Sequence, residues 1–210
     1  MFENLTKTEL YAYLTGIFTA CLIVSNIIAG KTFVFFSFTL PCGVVIFPVI
    51  YIVNDVLAEI YGFEKARNVI LLGFLVNLLA VICYNITILL PAPSFFESSE
   101  AFGIVLGSTF RLLVASFIAY LIGSLVNARL MVYLKKWDEN KLFFRCIAST
   151  FFGEGLDAVT FITIGFLGTM PNEALIGMII AQALFKTVYE IIVYPITRYV
   201  ILRIKKLDEN

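Results

Sequence analysis

Two acidic side chains, Glu154 and Asp157, lie three residues apart in the segment GEGLDA, within an otherwise apolar stretch. Residues at this spacing share one face of a helix, so both carboxylates would point the same way. A charged side chain at the centre of a membrane helix costs about 2.5–3.5 kcal/mol on insertion scales, which makes it a functional-site candidate by default. Gly153 and Gly155 flank Glu154 and would let a ligand or a neighbouring backbone approach closely.

Other apolar stretches also carry polar residues, several of them at helical spacing: Ser25 and Asn26; Asn54, Asp55 and Glu59; Ser116 and Tyr120; and Gln182, Lys186 and Glu190. Lys186 and Glu190 could pair within one helix, and Glu59 could simply lie at the membrane interface. Four central acids oppose one lysine, so a proton or a cationic, donor-rich ligand would supply the balance. If these groups only held helices together they would stabilise poorly, at an average of ~0.6 kcal/mol per polar contact.

The composition indicates that a membrane surrounds these charges. Hydrophobic residues make up 60% and charged residues 14% of the 210 residues, whereas a soluble domain carries roughly 25% charged residues. The net charge is zero, and no basic stretch of the kind that binds nucleic acid is present. The chain has no histidine, which excludes Ser-His and Cys-His catalytic pairs and HExxH zinc sites.

The apolar stretches predict an all-α integral membrane protein, a single transmembrane domain over residues 1–210. Six spans of adequate length are expected, at about 10–29, 42–61, 68–90, 107–133, 143–168 and 174–201. Residues 32–40 are aromatic and β-prone and are followed by Pro41, which predicts a short extended or hairpin segment.

The basic residues are distributed asymmetrically over the predicted loops. One set of loops holds only Lys31, and the opposite set holds Lys7, Lys65, Arg67, Arg129, Lys135, Lys136, Lys141, Arg203, Lys205 and Lys206. Because cytoplasmic loops are enriched in lysine and arginine, we expect a multi-pass protein of the plasma membrane with both termini in the cytoplasm.

Three classes of function fit a buried polar cluster. The first is a transporter or binding component for a polar small molecule. The second is an intramembrane enzyme, which is disfavoured because no loop is long enough for a catalytic domain and no histidine is available. The third is a structural subunit. A stripe of small residues, Ala12, Gly16 and Ala20, could pack inside the bundle or dock a second copy or another subunit.

The polar segments also carry a resemblance to a family. Its segments are SNIIAGK (25–31), FPVIYIVNDVLAEIYG (47–62), FRLLVASFIAY (110–120) and RCIASTFFGEGLDAVTFITIGFLG (145–168), with Ala66, Arg67, Lys186 and Pro195. On these residues the sequence resembles the queuosine precursor transporters, a family also described as vitamin-uptake transporters.

The resemblance implies import of 7-deazaguanines (preQ0, preQ1 or queuine) without an ATPase module, and we expect no cofactor. It implies six helices arranged as in the S-components of energy-coupling vitamin transporters, and the alternative is that the chain itself is such an S-component. It makes a homodimer plausible. One departure is Glu154, where an uncharged amide is expected. The residues expected to bind substrate are Asn26, Asp55, Ser116, Tyr120, Ser149, Glu154, Asp157, Gln182, Lys186 and Glu190.

Overall fold

The structure is a computed structural model that describes residues 6–29, 31–35, 38–107, 110–168 and 171–207. Side chains are described for all of these residues except 32, 38, 39, 110–113, 190 and 206–207. The elements in chain order are α1 (Lys7–Ala29), β1 (Thr32–Phe35), β2 (Phe38–Pro41), a 3-10 turn (Cys42–Val45), α2 (Phe47–Tyr61), α3 (Phe63–Leu89), α4 (Ser99–Leu106), α5 (Phe110–Trp137), α6 (Leu142–Phe166) and α7 (Asn172–Leu207).

The helices fit a membrane protein. By length and composition, four of the described helices could cross a bilayer, or five if the two bent halves of α7 count as one span. The predicted second span is shorter than expected: α2 has 15 residues, about 22 Å at 1.5 Å per residue, against a hydrocarbon core of about 30 Å. The protein is therefore an all-α membrane protein with four or five candidate spans.

A β-hairpin precedes α2, in the segment where the sequence predicts an extended connector. Its strands are antiparallel, with Thr32 opposite Pro41 and Phe35 opposite Phe38. The helix begins only after the 3-10 turn, with a proline in its first turn, a position where the missing N–H costs nothing. The turn packs tightly on α1, because a Cβ on Gly43 would lie 3.2 Å from Ala29 Cβ.

Two features of the helices were not predicted. The loop after α3 contains α4, a two-turn helix with no buried residue. Helix α7 is bent by 43° between Asn172–Tyr189 and Ile191–Lys205. Pro195 lies inside α7, and its ring lacks the N–H and crowds the carbonyl four residues earlier, which accounts for a kink at this place.

Helices α5 and α6 cross at two glycines. A Cβ on Gly123 would lie 2.8 Å from the carbonyl oxygen of Gly153, and a Cβ on Gly153 would lie 2.8 Å from that of Gly123. The two backbones can approach this closely only because neither residue has a side chain. The crossing also sets Asp157 directly against α5, since the Cβ on Gly123 would lie 2.9 Å from Asp157 Cβ.

The outer surface of the bundle is apolar. Helix α3 exposes Leu71, Leu75, Leu79, Ile82 and Ile86. A contiguous apolar surface of this kind is unfavourable in water and favourable against lipid tails. It therefore supports a bilayer as the solvent for the helix exteriors.

Helix ends that carry basic residues meet at one end of the bundle, which we call the basic end. The Tyr61 hydroxyl at the end of α2 donates to the Lys7 carbonyl at the start of α1 (3.0 Å). Lys135 near the end of α5 donates to the Glu59 carbonyl (2.9 Å), and Lys205 near the end of α7 donates to the Glu59 carboxylate (2.8 Å). The sequence places these same segments in one set of loops.

Candidate ligand-binding site

A stripe of four residues on α2 runs through the middle of the bundle. Phe47, Tyr51, Asp55 and Glu59 are each four residues apart and lie on one face of the helix. Each step advances about 6 Å along the axis. The last three are buried. The stripe leads from the start of α2 to the basic end, and each of its members contacts a different part of the candidate site.

Lys186 on α7 forms the central ion pair. Its ammonium lies 2.5 Å from Glu154 Oε2 and 2.8 Å from Asp157 Oδ2, both on α6. The same nitrogen lies 4.1 Å from the ring centroid of Phe47 and 5.6 Å from that of Tyr51. The three charged side chains are at most 5% exposed. Two acids and one base thus share a site shielded from solvent, where charge interactions are strong.

A cavity lined in part by polar side chains, here the polar cavity, opens beside this pair. It is lined by Leu22, Ser25, Asn26, Ala29, Pro41, Phe47, Ser116, Tyr120, Asp157, Phe161 and Gln182. The space between them is about 400 Å³ with its open mouth included, and its enclosed part admits about one water molecule. A larger ligand would require the lining side chains to separate.

Two amides give the polar cavity hydrogen-bonding groups of both kinds. The Ser116 hydroxyl donates to Asn26 Oδ1 (2.9 Å) and so orients that amide. Within the part of the chain that the structure describes, the Asn26 amide nitrogen and Gln182 Oε1 are buried and have no hydrogen-bond partner. An unmade hydrogen bond at a buried polar group costs about 1–3 kcal/mol. A ligand with a complementary edge would recover it.

A second cavity, here the aromatic cavity, adjoins the first. It is lined by Val44, Phe47, Pro48, Tyr51, Phe185, Lys186 and Tyr189. Phe47 lines both cavities. The hairpin contributes to the surrounding wall, since the Phe35 and Phe185 rings meet edge to face at 5.8 Å. The rings and Lys186 therefore form a separate compartment on the far side of Phe47.

Nearer the basic end, Asp55 and Glu59 have other partners. The Asn127 amide donates to Asp55 Oδ1 (3.2 Å). Glu59 accepts from Arg145 at Oε2 (2.6 Å) and from Lys205 at Oε1 (2.8 Å), and Lys135 lies 3.3 Å from Oε1. One buried carboxylate thus joins α2 to α5, α6 and α7. The Glu59 side chain is fully buried between these helices, although it lies near the basic end, where the sequence allows an interfacial position.

The structure brings most of the predicted residues together. Five line the polar cavity and two more form the adjoining ion pair: Asn26, Ser116, Tyr120, Asp157 and Gln182, with Glu154 and Lys186. Asp55, on α2, lies nearer the basic end than these residues. Ser149 is buried elsewhere on α6, where its hydroxyl donates to the Cys146 carbonyl (3.0 Å). The Glu190 side chain lies outside the described residues, and Lys186 pairs with α6.

The comparisons with known proteins identify the family. Residues 41–200 match the family described as "Putative vitamin uptake transporter". The chain belongs to this family. It is 25% identical over 197 residues to the "Probable queuosine precursor transporter" of Bacillus subtilis, which covers 92% of the chain and 84% of the relative. It is 30% identical over 133 residues to the protein of the same name from Haemophilus influenzae, covering 62% of the chain and 54% of that relative. No solved structure matches the chain.

As a member of the vitamin uptake transporter family, the protein is a membrane transporter and not an enzyme. The candidate site includes residues that the sequence did not single out. Phe47 and Phe161 place aromatic rings in the polar cavity. Asn127 contacts Asp55, and it continues the four-residue spacing of Ala119 and Gly123 on α5. That spacing could have indicated Asn127. The sequence contains many phenylalanines, and nothing in it distinguishes Phe47 and Phe161 from the others.

Proposed function

We propose that this transporter imports a queuosine precursor, a 7-deazaguanine base, and binds it in the polar cavity. The observation that carries the proposal is the pair of unpartnered amide atoms, the Asn26 nitrogen and Gln182 Oε1, in a cavity that also contains Asp157. A deazaguanine presents adjacent N–H and NH₂ donors and a carbonyl acceptor, which match a carboxylate, an amide oxygen and an amide nitrogen. The names of the two relatives support the same substrate class.

The aromatic lining supports a planar ligand. Phe47 and Phe161 both face the polar cavity, together with Tyr120. A flat heterocycle between aromatic rings gains from stacking in addition to the area it buries. Entry of such a base requires Phe47 and its neighbours to move apart, as expected for a transporter that closes around its substrate.

The proposed topology makes the polar cavity extracellular-facing. It is lined by Ala29, the last residue of α1, and by Pro41 at the end of the hairpin, and this end of α1 is opposite the basic end. The positive-inside rule favours a cytoplasmic location for the basic end. The proposal is therefore one plasma-membrane domain with six crossings and both termini in the cytoplasm. In this topology α2 and the hairpin together form the second crossing. The Glu59 network then closes the cytoplasmic end while the cavity faces outwards.

A second candidate function is that of an S-component that docks onto another membrane subunit. It is favoured by an exposed groove between α1 and α3, which Ala12, Gly16 and Ala20 line with small side chains. The same groove could accommodate a second copy of the chain. Co-purification of an additional subunit, or the mass of the protein in detergent measured by light scattering, distinguishes these arrangements.

Uptake in cells that cannot make queuosine precursors tests the proposed function. We expect unlabelled preQ0, preQ1 or queuine, but not guanine, to compete with a labelled 7-deazaguanine. Asp157→Asn should lower the affinity by about 10- to 100-fold, because a hydrogen bond to a charged group contributes about 1.5–3 kcal/mol. Glu139→Gln at the basic end is the control and should transport normally. Equal competition by guanine, or unchanged uptake by Asp157→Asn, contradicts the proposal.

A further inference from the structure

The position of Lys186 between the two cavities has a consequence for substrate choice. Its ammonium is held by Glu154 and Asp157 on one side and lies over the Phe47 ring on the other. Asp157 lines the polar cavity, and Lys186 lines the aromatic cavity. The lysine therefore binds Asp157, the acid that a ligand in the polar cavity would also contact.

The charges of this cluster do not balance within its three members. Glu154 and Asp157 carry two negative charges when ionised, and Lys186 supplies one positive charge. A ligand that brings a cation would balance the charges of these three side chains, whereas a neutral ligand would leave their net charge as it is.

The aromatic cavity offers the ammonium a second position. Tyr51 and Tyr189 line this cavity together with Phe47, and the ammonium already lies 5.6 Å from the Tyr51 ring centroid. Aromatic faces attract ammonium groups at about this distance, and more strongly when solvent is excluded. A small rotation of the flexible lysine chain would exchange carboxylate contacts for ring contacts.

We propose that Lys186 is a tethered counter-ion, which a cation-bearing base displaces from Asp157 and Glu154 into the aromatic cavity. Glu154 and Asp157 thereby favour a 7-deazaguanine with an aminomethyl group over a neutral one of similar size, and Lys186 limits this preference because it competes with the cation for the two acids. This inference rests on the proposed function, since it concerns the same polar cavity.

Binding of two bases that differ in charge tests this inference. Purified protein in lipid nanodiscs is titrated calorimetrically with 7-aminomethyl-7-deazaguanine, a cation, and with neutral 7-cyano-7-deazaguanine. Wild type should bind the aminomethyl base more tightly. Lys186→Met should tighten that binding by about tenfold, as for a site that the lysine leaves open about a tenth of the time. Binding of the cyano base should not become tighter.

The matched control is Lys205→Met, the same change on the same helix. Lys205 pairs with Glu59 at the basic end, and its replacement should leave the ratio of the two affinities unchanged. Lys186→Gln removes the same charge with a polar side chain, and it replaces Lys186→Met if the latter does not fold, as judged by circular dichroism.

A double-mutant cycle separates displacement from a merely structural role. Tyr51→Leu removes a ring that would receive the ammonium, so it should weaken aminomethyl-base binding in wild type but not in Lys186→Met. Tyr51→Phe keeps the ring and should bind as wild type does. If Lys186→Met has the same ratio of the two affinities as wild type, or if it weakens binding of both bases equally, the inference is overturned. The proposed function is unaffected by either result. Absence of binding of either base to wild type overturns the proposed function and the inference with it.

Discussion

Replacing Glu59 by glutamine would test the network that closes the basic end. The change keeps the shape of the side chain and removes its charge. Arg145, only 1% exposed, lies 2.6 Å from Glu59 Oε2, and glutamine would leave its guanidinium buried without a counter-ion. Lys135 and Lys205 are more exposed, at 30% and 38%, and retain contact with solvent.

The expected loss of stability follows from these different environments. Removing one partner of a buried ion pair destabilises a protein by about 3–5 kcal/mol, because the remaining charge is uncompensated. The two partly exposed lysines would each add only about 0–1 kcal/mol. We therefore expect Glu59→Gln to lower the free energy of unfolding by about 3–5 kcal/mol.

Glu139→Gln provides a matched control for this measurement. Glu139 is also at the basic end, but its side chain is 67% exposed and lies 3.8 Å from Lys135, so its loss should cost about 0–1 kcal/mol. Reversible unfolding in mixed SDS micelles, followed by circular dichroism, measures both variants. Adding Arg145→Met to Glu59→Gln should restore part of the stability by removing the orphaned charge. If Glu59→Gln and Glu139→Gln differ by less than about 1 kcal/mol, the network does not hold the helices together as argued.

Two further changes test the helix crossing and the cavity. Gly153→Ala should destabilise the same unfolding equilibrium by about 1–3 kcal/mol, because its Cβ would lie 2.8 Å from the Gly123 carbonyl oxygen; Gly155→Ala, which meets open space, should change it by less than about 1 kcal/mol. Ser116→Ala removes the hydrogen bond to Asn26 and should weaken binding of a 7-deazaguanine in calorimetry by roughly threefold to tenfold. Ser116→Thr keeps the hydroxyl and should bind normally, and equal affinities for both variants would contradict a role of this bond.

The helices were predictable from the sequence where apolar residues continue for a full span. The predicted limits 68–90 and 143–168 differ from α3 and α6 by a few residues at each end. Within the predicted span 42–61, helix α2 begins only at Phe47, because hydrophobicity does not distinguish a 3-10 turn from the first turn of a helix. Helix α4 has no buried residue and follows a proline-rich loop, so neither length nor periodicity indicated it.

The candidate site was predictable as a set of residues but not as a set of contacts. Spacing placed Glu154 and Asp157 on one face of α6, and the structure has both carboxylates beside one ammonium. Spacing also allowed Lys186 to pair along its own helix. Its pairing with the acids of α6 depends on how α7 packs against α6, which spacing does not predict. The aromatic cavity depends on how the hairpin and α2 meet α7, a long-range arrangement that no local pattern encodes.

The stripe on α2 separates two charge environments that suit opposite ends of a transport path. At Phe47 and Tyr51 the surrounding charges are one lysine and two acids, and at Glu59 they are one acid and three basic side chains. A cationic solute would be attracted to the first region and repelled by the second. Release towards the basic end, as proposed above, would require the Glu59 network to separate. Asp55, which lies between the two regions with Asn127 as a donor, is the acid that a cation would meet on this path.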